Sequence, residues 1–479
     1  MSGALDISSF AGLTADSRAV VHGGLFVAVP GVEADGRDFI EQAIAKGAKA
    51  VLTDMRPGVD VWRDRVDVVQ DPDPRRLLSE LAAAYYRFRP GTAALVTGSS
   101  GKTSTVEFAR QIWTALERPA ASVGTLGVIA PDATHYGGLT SPDPVALMAT
   151  LAELAAAGVV SVAIEASSHG LDQRRLDGVQ AEIGVFTSFS RDHLDYHGDE
   201  ATYLAAKLRL FSGAMAPGGF AIVAAGSARA DAVAQSAAAA GHTVLTYGRR
   251  GRFLNLREAT PDGFGMVLDV SFDRGDARVR LDHFAGFQAE NALAAAAIAI
   301  VAGADPSNAI AAIEDLAQPA GRMQRAGETA DGAPVYIDYS HKPGALEAAL
   351  VALKAVTPGR VTVVFGCGGD RDAGKRPLMG EIAARLADRV IVTDDNPRGE
   401  SPAEIRQAVL EGARGAEEIA SRRAAIRAAV AGLGPGDAAL IAGKGHEQGQ
   451  IIGHRVLPFD DVAEAVAALA AARPTETAA

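Results

Sequence analysis

A single cysteine, Cys367, stands in a chain of 479 residues, so neither a disulfide framework nor a Cys-based zinc site can be built. Basic residues are also in deficit. Lys+Arg number 46 against 58 Asp+Glu, a net −12 that argues against a general polyanion binder and predicts no nucleic-acid partner. A local cationic site for a small anion stays open. No apolar run is long enough for a bilayer: the longest, near 292–304, is Ala-rich and too short to span. The N-terminus, MSGALDISSF, lacks a basic segment followed by an apolar one. No fixed-period repeat occurs. These absences predict a soluble, cytoplasmic chain without membrane insertion. What is present is 48% hydrophobic residues, enough to bury a core in each of several domains of roughly 100–200 residues.

Proline and glycine mark two boundaries, Arg87-Phe88-Arg89-Pro90-Gly91 and Gln318-Pro319-Ala320-Gly321, giving domains at 1–90, 91–318 and 319–479. The first alternates short strand-like runs with a helix near 39–46. The second repeats strand and helix at 93–97, 102–117, 161–166, 183–187 and 219–225. The third does so at 334–338 with 343–356, 360–366 with 375–387, 389–393 with 402–413, and 437–442. This pattern predicts an α/β protein of three domains. They are a small N-terminal α/β domain, a central P-loop ATPase-type parallel sheet and a C-terminal Rossmann-like domain. Residues 253–283 alternate polar and apolar around two turn signals, which predicts a β-meander inserted in the middle domain. The tail from Arg473 is expected to be disordered.

Between a strand and a helix lies Thr97-Gly98-Ser99-Ser100-Gly101-Lys102-Thr103-Ser104. Glycines let the backbone curl so that N–H groups face an anion. Lys102 adds a cation for β/γ-phosphates, and the Thr103 hydroxyl is a ligand for Mg²⁺. Where the full Walker pattern has its first glycine, this chain has Val96, so the loop is a shortened form. The alternative is a Gly-rich turn capping a helix. An ATP-type nucleotide is the favoured ligand.

Two polar clusters follow strands in the same block: Glu165-Ala166-Ser167-Ser168-His169-Gly170-Leu171, and Thr187 through Asp192-His193-Leu194-Asp195-Tyr196-His197. A carboxylate at the end of a parallel strand faces the ligand crevice of an open sheet. A lone Glu or His there is more often a cap or surface group. Beside a phosphate loop the balance reverses, because phosphoryl transfer needs oxygen or imidazole ligands around Mg²⁺. In the last block, three loops leave one sheet edge: Phe365–Pro377, Thr393–Arg398 and Ala442–Glu447. Their arginines, acids and bare glycine backbone suit a zwitterion, with a structural ion-pair network as the bland alternative.

Taken together, Thr97–Ser104, Glu165–Leu171, Asp192–His197 and Tyr203-Leu204-Ala205-Ala206-Lys207 resemble the Mur ligase superfamily of ATP-dependent amide-forming enzymes. The likeness runs over nearly the whole chain. It implies Glu165 and His193 as Mg²⁺ ligands and a CO₂-derived carbamate on Lys207, an anionic oxygen ligand replacing an ammonium that would repel the metal. Asp395-Asn396-Pro397-Arg398 is the family's marker for meso-2,6-diaminopimelate rather than L-lysine, with Arg371, Gly443 and Glu447 at its other positions for that substrate. Diaminopimelate carries a distal carboxylate that lysine lacks, and Arg398 can pair with it. Lysine would leave that arginine unpaired.

The resemblance also implies that residues 1–90 bind the uridine end of a UDP-muramoyl dipeptide, with Ala15, Ser17, Val32, Glu33 and Ala34 at contacting positions. Leu139, Thr140, Ser141, Ser167, Gln173 and Arg175 fall at muramoyl-peptide positions. The family has Asn-Thr-Thr where this chain has Leu-Thr-Ser, and the Leu139 side chain offers no amide. Asn291, Arg322 and Asp338 resemble adenine, phosphate and ribose contacts. The implied reaction joins diaminopimelate to the D-Glu γ-carboxylate through an acyl phosphate. His341 and a carboxylate near Glu447 are candidate bases for the incoming amine. Small-molecule substrates and a monomer are expected. Three rivals remain: an L-lysine-adding ligase, a folylpolyglutamate synthase-like ligase, which would lack the uridine domain, and a non-catalytic nucleotide-binding regulator, which would have broken metal ligands.

Overall fold

The computed structural model describes residues 6–31, 34–131, 133–135, 139–263, 265–282 and 286–472. Val32 and Glu33, and the tail expected to be disordered, lie outside the described residues. The chain divides into two compact units. One runs up to Thr246 and takes in Ala297–Ala304; the other comprises Tyr247–Ala296 and Asp305 onward.

In the first unit, a four-stranded parallel sheet is built from Leu13–Thr14, Leu25–Val27, Ala50–Thr53 and Asp67–Gln70. It does not stand alone. Leu13, Leu25, Val27 and Leu52 share one apolar core with Leu95, Val123 and Ile164 of the following sheet and with Leu147 of the helix Pro144–Ala156. The helix Pro74–Tyr86 starts cleanly, with proline in its first turn and the Asp73 side chain accepting from Arg76 N at 3.1 Å. Asp73 also receives the Arg174 guanidinium at 2.7 Å, tying the small sheet to the larger one.

That larger sheet continues beyond Met215–Ala224 with Thr243–Gly248; in the other direction it is ordered Met215–Ala224, Ala181–Phe186, Thr92–Thr97, Ser161–Glu165, Ala120–Gly124, then the antiparallel edge strands Gly127–Ala130 and Ala133–His135. The five strands from Met215–Ala224 to Ala120–Gly124 are parallel. Thr92–Thr97 is central, so it reads as a continuous apolar run buried from Ala93 onward. Its end opens between the ends of Ala181–Phe186 and Ser161–Glu165, the crevice where ligands bind in open α/β sheets.

In the second unit, Leu254–Asp262, Gly265–Phe272 and Gly275–Leu281 form the antiparallel meander expected from the alternating pattern. A six-stranded sheet follows, ordered Gln324–Glu328, Pro334–Asp338, Ala438–Ala442, Val361–Phe365, Arg389–Val392, Glu417–Glu418. All but the first strand run parallel. The three strands whose loops the sequence singled out are adjacent, so Val361–Phe365, Arg389–Val392 and Ala438–Ala442 deliver their loops to one edge.

Candidate active site

Hydrogen bonds stitch the phosphate loop to the loop that follows Ala181–Phe186. Ser99 N donates to Ser188 O at 2.9 Å, Ser100 N to Ser188 Oγ at 2.9 Å, and Thr187 Oγ1 to Ser100 O at 2.6 Å. Ser99 Oγ meets Tyr203 Oη at 3.0 Å. Gly98 has φ +151°, and a Cβ there would overlap Thr187 Oγ1. Gly101, at φ +88°, turns the chain into the helix Lys102–Ala115, whose first-turn Thr103 and Ser104 are buried. Lys102 Nζ donates to Gly98 O at 2.8 Å and Ser99 O at 3.3 Å.

Glu165 ends the adjacent strand opposite Val96 and is 1% exposed. Its carboxylate accepts from Thr125 N at 2.8 Å and Thr125 Oγ1 at 3.2 Å. Lys207 lies on the helix Glu200–Arg209, capped by Asp199 accepting from Thr202 N at 2.7 Å. A π-helical turn, Leu210–Ala214, follows it, a distortion that recurs near functional sites. Lys207 is 1% exposed; its Nζ donates to Gly98 O at 2.8 Å and sits 4.5 Å above the Tyr203 ring. His193 adopts a left-handed backbone, φ +51°, at the start of Leu194–His197. Its ring lies 6.2 Å from that of Tyr203 and 4.8 Å, edge-on, from that of His169. Phosphate loop, Glu165, His193 and Lys207 thus gather at one end of one sheet.

Among the described residues no three His, Cys, Asp or Glu side chains form a metal cage. Mg²⁺ at a nucleotide needs none, since it takes one or two protein carboxylates and completes its shell with phosphate and water. The Thr103 hydroxyl, Glu165 carboxylate and His193 imidazole suit that role.

Beside this lies a connected polar chain. Ser141 Oγ meets Glu165 O at 2.9 Å and Ser167 Oγ at 3.0 Å, and Thr140 Oγ1 meets Thr125 Oγ1 at 3.1 Å. Arg175 donates to Ser141 O at 2.8 Å and to Gln173 Oε1 at 2.6 Å, and Gln173 donates to Tyr196 Oη at 3.1 Å. Five of the six muramoyl-peptide candidates therefore form one network. Leu139 is exposed and takes no part in these bonds. In the small sheet, Ser17 is buried with its hydroxyl donating to Gln42 Oε1 at 2.7 Å, Ala15 packs on the core, and Ala34 is exposed.

Sequence reasoning gave no role to Thr125, His169 or Tyr196. Tyr196 Oη also donates to Asp172 at 2.8 Å, and the His169 ring packs at a tilt with its centre 4.2 Å from that of Tyr196, with burial holding its imidazole below the usual histidine range. The signal was there for His169, inside a polar cluster already read. Thr125 follows Ala120–Gly124, a strand whose alanines and glycine carry little strand signature.

In the second unit, Asn291 is buried and donates to Gln288 Oε1 at 2.7 Å. The Arg322 guanidinium stacks 4.5 Å from the Tyr339 ring. Asp338 accepts from Met323 N at 2.7 Å and from Ser340 Oγ, so both carboxylate oxygens are engaged by protein donors. Burial pushes its carboxyl above the ordinary carboxylate value. His341 makes a poor base. Its Nδ1 faces Tyr339 O at 2.8 Å, and burial, with Lys342 and Lys375 nearby, pushes its imidazole down to about 3.

The three loops do converge. Asn396 Nδ2 donates to Glu447 Oε2 at 2.8 Å, and Lys444 Nζ bridges Asn396 Oδ1 at 3.0 Å and Glu447 Oε2 at 3.2 Å. Arg398 Nη1 donates to Gly369 O at 2.9 Å from a left-handed backbone, φ +50°. Pro397 is buried, Gly443 has φ +117°, and burial holds the Asp395 carboxyl above its ordinary value. Arg371 is exposed on the same loop as Gly369, donating to Asp370 O at 2.9 Å.

Residues 9–86, 96–299 and 321–445 match, in turn, families described as Mur ligase family, catalytic domain; Mur ligase middle domain; and Mur ligase, glutamate ligase domain. A UDP-N-acetylmuramoyl-L-alanyl-D-glutamate–2,6-diaminopimelate ligase of Bradyrhizobium diazoefficiens is 50% identical over 467 residues, covering 96% of this chain and 95% of its own. The Brucella melitensis protein of that name is 49% identical over 462 residues, covering 96% and 94%. A solved structure of such a ligase superposes with a TM-score of 0.71 at 34% identity, covering 96% and 95%. A folylpolyglutamate synthase of Mycobacterium tuberculosis shares the fold, with a TM-score of 0.64 at 19% identity over 77% of this chain and 91% of its own. With its three-domain α/β fold and its phosphate loop, this chain belongs to the Mur ligase family of ATP-dependent C–N ligases.

Proposed function

We infer that the chain adds meso-2,6-diaminopimelate to the D-Glu γ-carboxylate of UDP-N-acetylmuramoyl-L-Ala-D-Glu, a cytoplasmic step of peptidoglycan precursor synthesis. The observation that carries this reading is the meeting of Arg398, Asn396 and Glu447 at one sheet edge, in a chain about half identical to ligases of that name. Cationic and acidic groups fixed side by side suit an amino acid bearing a second carboxylate.

Both reactants of the first step are anions, so alignment and charge neutralisation carry the chemistry. The loop N–H groups and Lys102 hold the β/γ-phosphates. Arg175 and the hydroxyls of Ser141 and Ser167 orient the acceptor peptide. Bound Mg²⁺ would neutralise the γ-phosphate, held by Thr103, Glu165 and His193, with a carbamate on Lys207 as a further oxygen donor. The acceptor γ-carboxylate attacks the γ-phosphorus and releases ADP. The diaminopimelate nitrogen, as the free amine, then attacks the acyl carbon; the C–O bond to the phosphoryl group breaks, and phosphate leaves, taking up the proton that nitrogen gives up. Ala15, Ser17, Val32, Glu33 and Ala34 are proposed to bind the uridine end. A monomer suffices for all these roles.

The test is phosphate release by the purified chain with ATP, UDP-muramoyl dipeptide and a panel of diamino acids. Release should require all three, with diaminopimelate far ahead of L-lysine. Equal use of lysine sinks the substrate reading, and release without an amino acid sinks the ligase order.

A further inference from the structure

A hairpin, Gly449–Ile452 with Arg455–Pro458, follows the loop Ala442–Glu447. Its two strands pair with each other, a parallel bridge joins Ile452 to Arg398, and Ile452, Val456 and Leu457 are left exposed. A lone hairpin is marginal in water. Among the described residues, the polar contacts it makes beyond its own ladder go to Asp395–Arg398. Gln450 Nε2 donates to Asp395 O at 2.8 Å, and Ile451 N donates to Asn396 Oδ1 at 3.0 Å. Arg398 N donates to Ile451 O at 3.0 Å, and Gly453 N donates to Arg398 O at 2.7 Å. Both backbone groups of Arg398 are therefore held by the hairpin, in a left-handed conformation that a long side chain seldom adopts unaided.

The opposite side is held by Lys444, which is 0% exposed. It donates to Asn396 Oδ1 and Glu447 Oε2 and stands 3.6 Å from Asp395 Oδ1. The Asn396 amide accepts from Lys444 and from Ile451 N while donating to Glu447, so only one of its hydrogen-bonding positions is left over. Gly369 O takes one donor of the Arg398 guanidinium, and a Cβ on Gly368 would come within 2.8 Å of Nη1. Among the described residues no other acceptor takes this guanidinium, which leaves four of its five N–H groups for a ligand carboxylate.

We propose that Lys444 and the Gly449–Pro458 hairpin, acting through Gln450, form a clamp that positions Arg398 and Asn396 and thereby sets the choice of amino acid. Neither Lys444 nor Gln450 needs to touch the substrate; they are positioning residues. The proposal rests on the diaminopimelate reading above. If Arg398 pairs with the distal carboxylate, loosening its backbone costs affinity for diaminopimelate and leaves lysine, which has no such group, nearly unaffected.

The experiment compares wild type with Gln450→Ala, Gln450→Glu and Lys444→Met in steady-state ligation, using diaminopimelate and L-lysine as competing amines. Gln450→Glu keeps the shape and loses the donor, so it should behave as Gln450→Ala does. KM for diaminopimelate should rise about tenfold, and the preference over lysine should fall about as much, while KM for ATP stays within about twofold. Val456→Thr, on the exposed side, should leave both unchanged. Should Lys444→Met fail to fold, the two Gln450 variants carry the test. A wild type that uses diaminopimelate, with Gln450 variants that keep its KM and its preference, overturns the clamp. A wild type indifferent to diaminopimelate overturns the substrate reading instead, and the clamp's role in selection with it.

Discussion

Lys102 and Lys207, far apart in sequence, donate to the same acceptor: each Nζ lies 2.8 Å from the carbonyl oxygen of Gly98. Two ammonium groups on one carbonyl repel each other, and Lys207 has almost no solvent to screen it. Converting Lys207 to a carbamate would replace that repulsion by attraction and put an anionic oxygen beside the phosphate loop.

From this follows the first expectation. Lys207→Ala should lower ligation at least about a hundredfold, and short-chain carboxylates should restore part of it by filling the vacated space with an anion. Phosphate release with and without added carboxylate measures this. Wild-type turnover by the variant would remove the carbamate from the reaction.

Gly98→Ala meets two obstacles at once. The methyl would overlap Thr187 Oγ1, and the backbone at φ +151° is one that only glycine adopts freely. The loop should lose stability by about 1–3 kcal/mol and bind ATP analogues poorly. Urea melts together with fluorescent-nucleotide titration report both, and an unchanged affinity would show that the loop can rearrange.

Arg422 and Asp461 form an ion pair with neither side chain exposed, through contacts of 2.7 and 2.6 Å, and Arg422 also donates to Ala442 O at 2.9 Å. Arg422→Ala strands a buried carboxylate and should cost about 3–5 kcal/mol. The double variant Arg422→Met with Asp461→Leu should recover much of it, because an apolar pair of similar volume leaves no charge unpaired. Denaturant midpoints of the single and double variants decide the matter.

Acid should weaken the second unit through its histidines. Burial pushes His341 down to about 3 and His446 to about 4. The unfolded chain begins to take up these protons near pH 6.5, whereas the fold does not until pH reaches those lower values. Stability is therefore full above about 6.5 and declines as pH falls below it, by roughly 1.4 kcal/mol per pH unit for each histidine. Asp338 and Asp395, raised by burial, act in the opposite sense. The histidine share is thus the difference between wild type and His446→Gln across pH 7 to 4.5. Parallel curves would show that His446 does not stay neutral in the fold.

Much of this architecture was legible before any coordinates. Strands such as Val361–Phe365 and Pro334–Asp338 are short apolar, largely β-branched runs bounded by turn residues, and the helices between them keep an apolar face. The loops that follow announce themselves by glycine, charge and position. Less legible were Ala120–Gly124 with its two edge strands, the hairpin at Gly449–Pro458, and the helices Arg422–Ala431 and Asp461–Ala472. Small residues give Ala120–Gly124 little strand signature, and a hairpin held mainly by contacts to a distant loop has little local pattern to read.

By itself the chain's chemistry determined which side chains could serve a nucleotide, a metal and a zwitterion, because those roles depend on residue type at the ends of strands. Only the tertiary structure decided that Lys207 and Lys102 share one carbonyl, that Thr125 holds Glu165, and that Gln450 and Lys444 grip the loop carrying Arg398. Those are distances between segments remote in sequence. Strand order and packing bring them together, and no local pattern encodes either one.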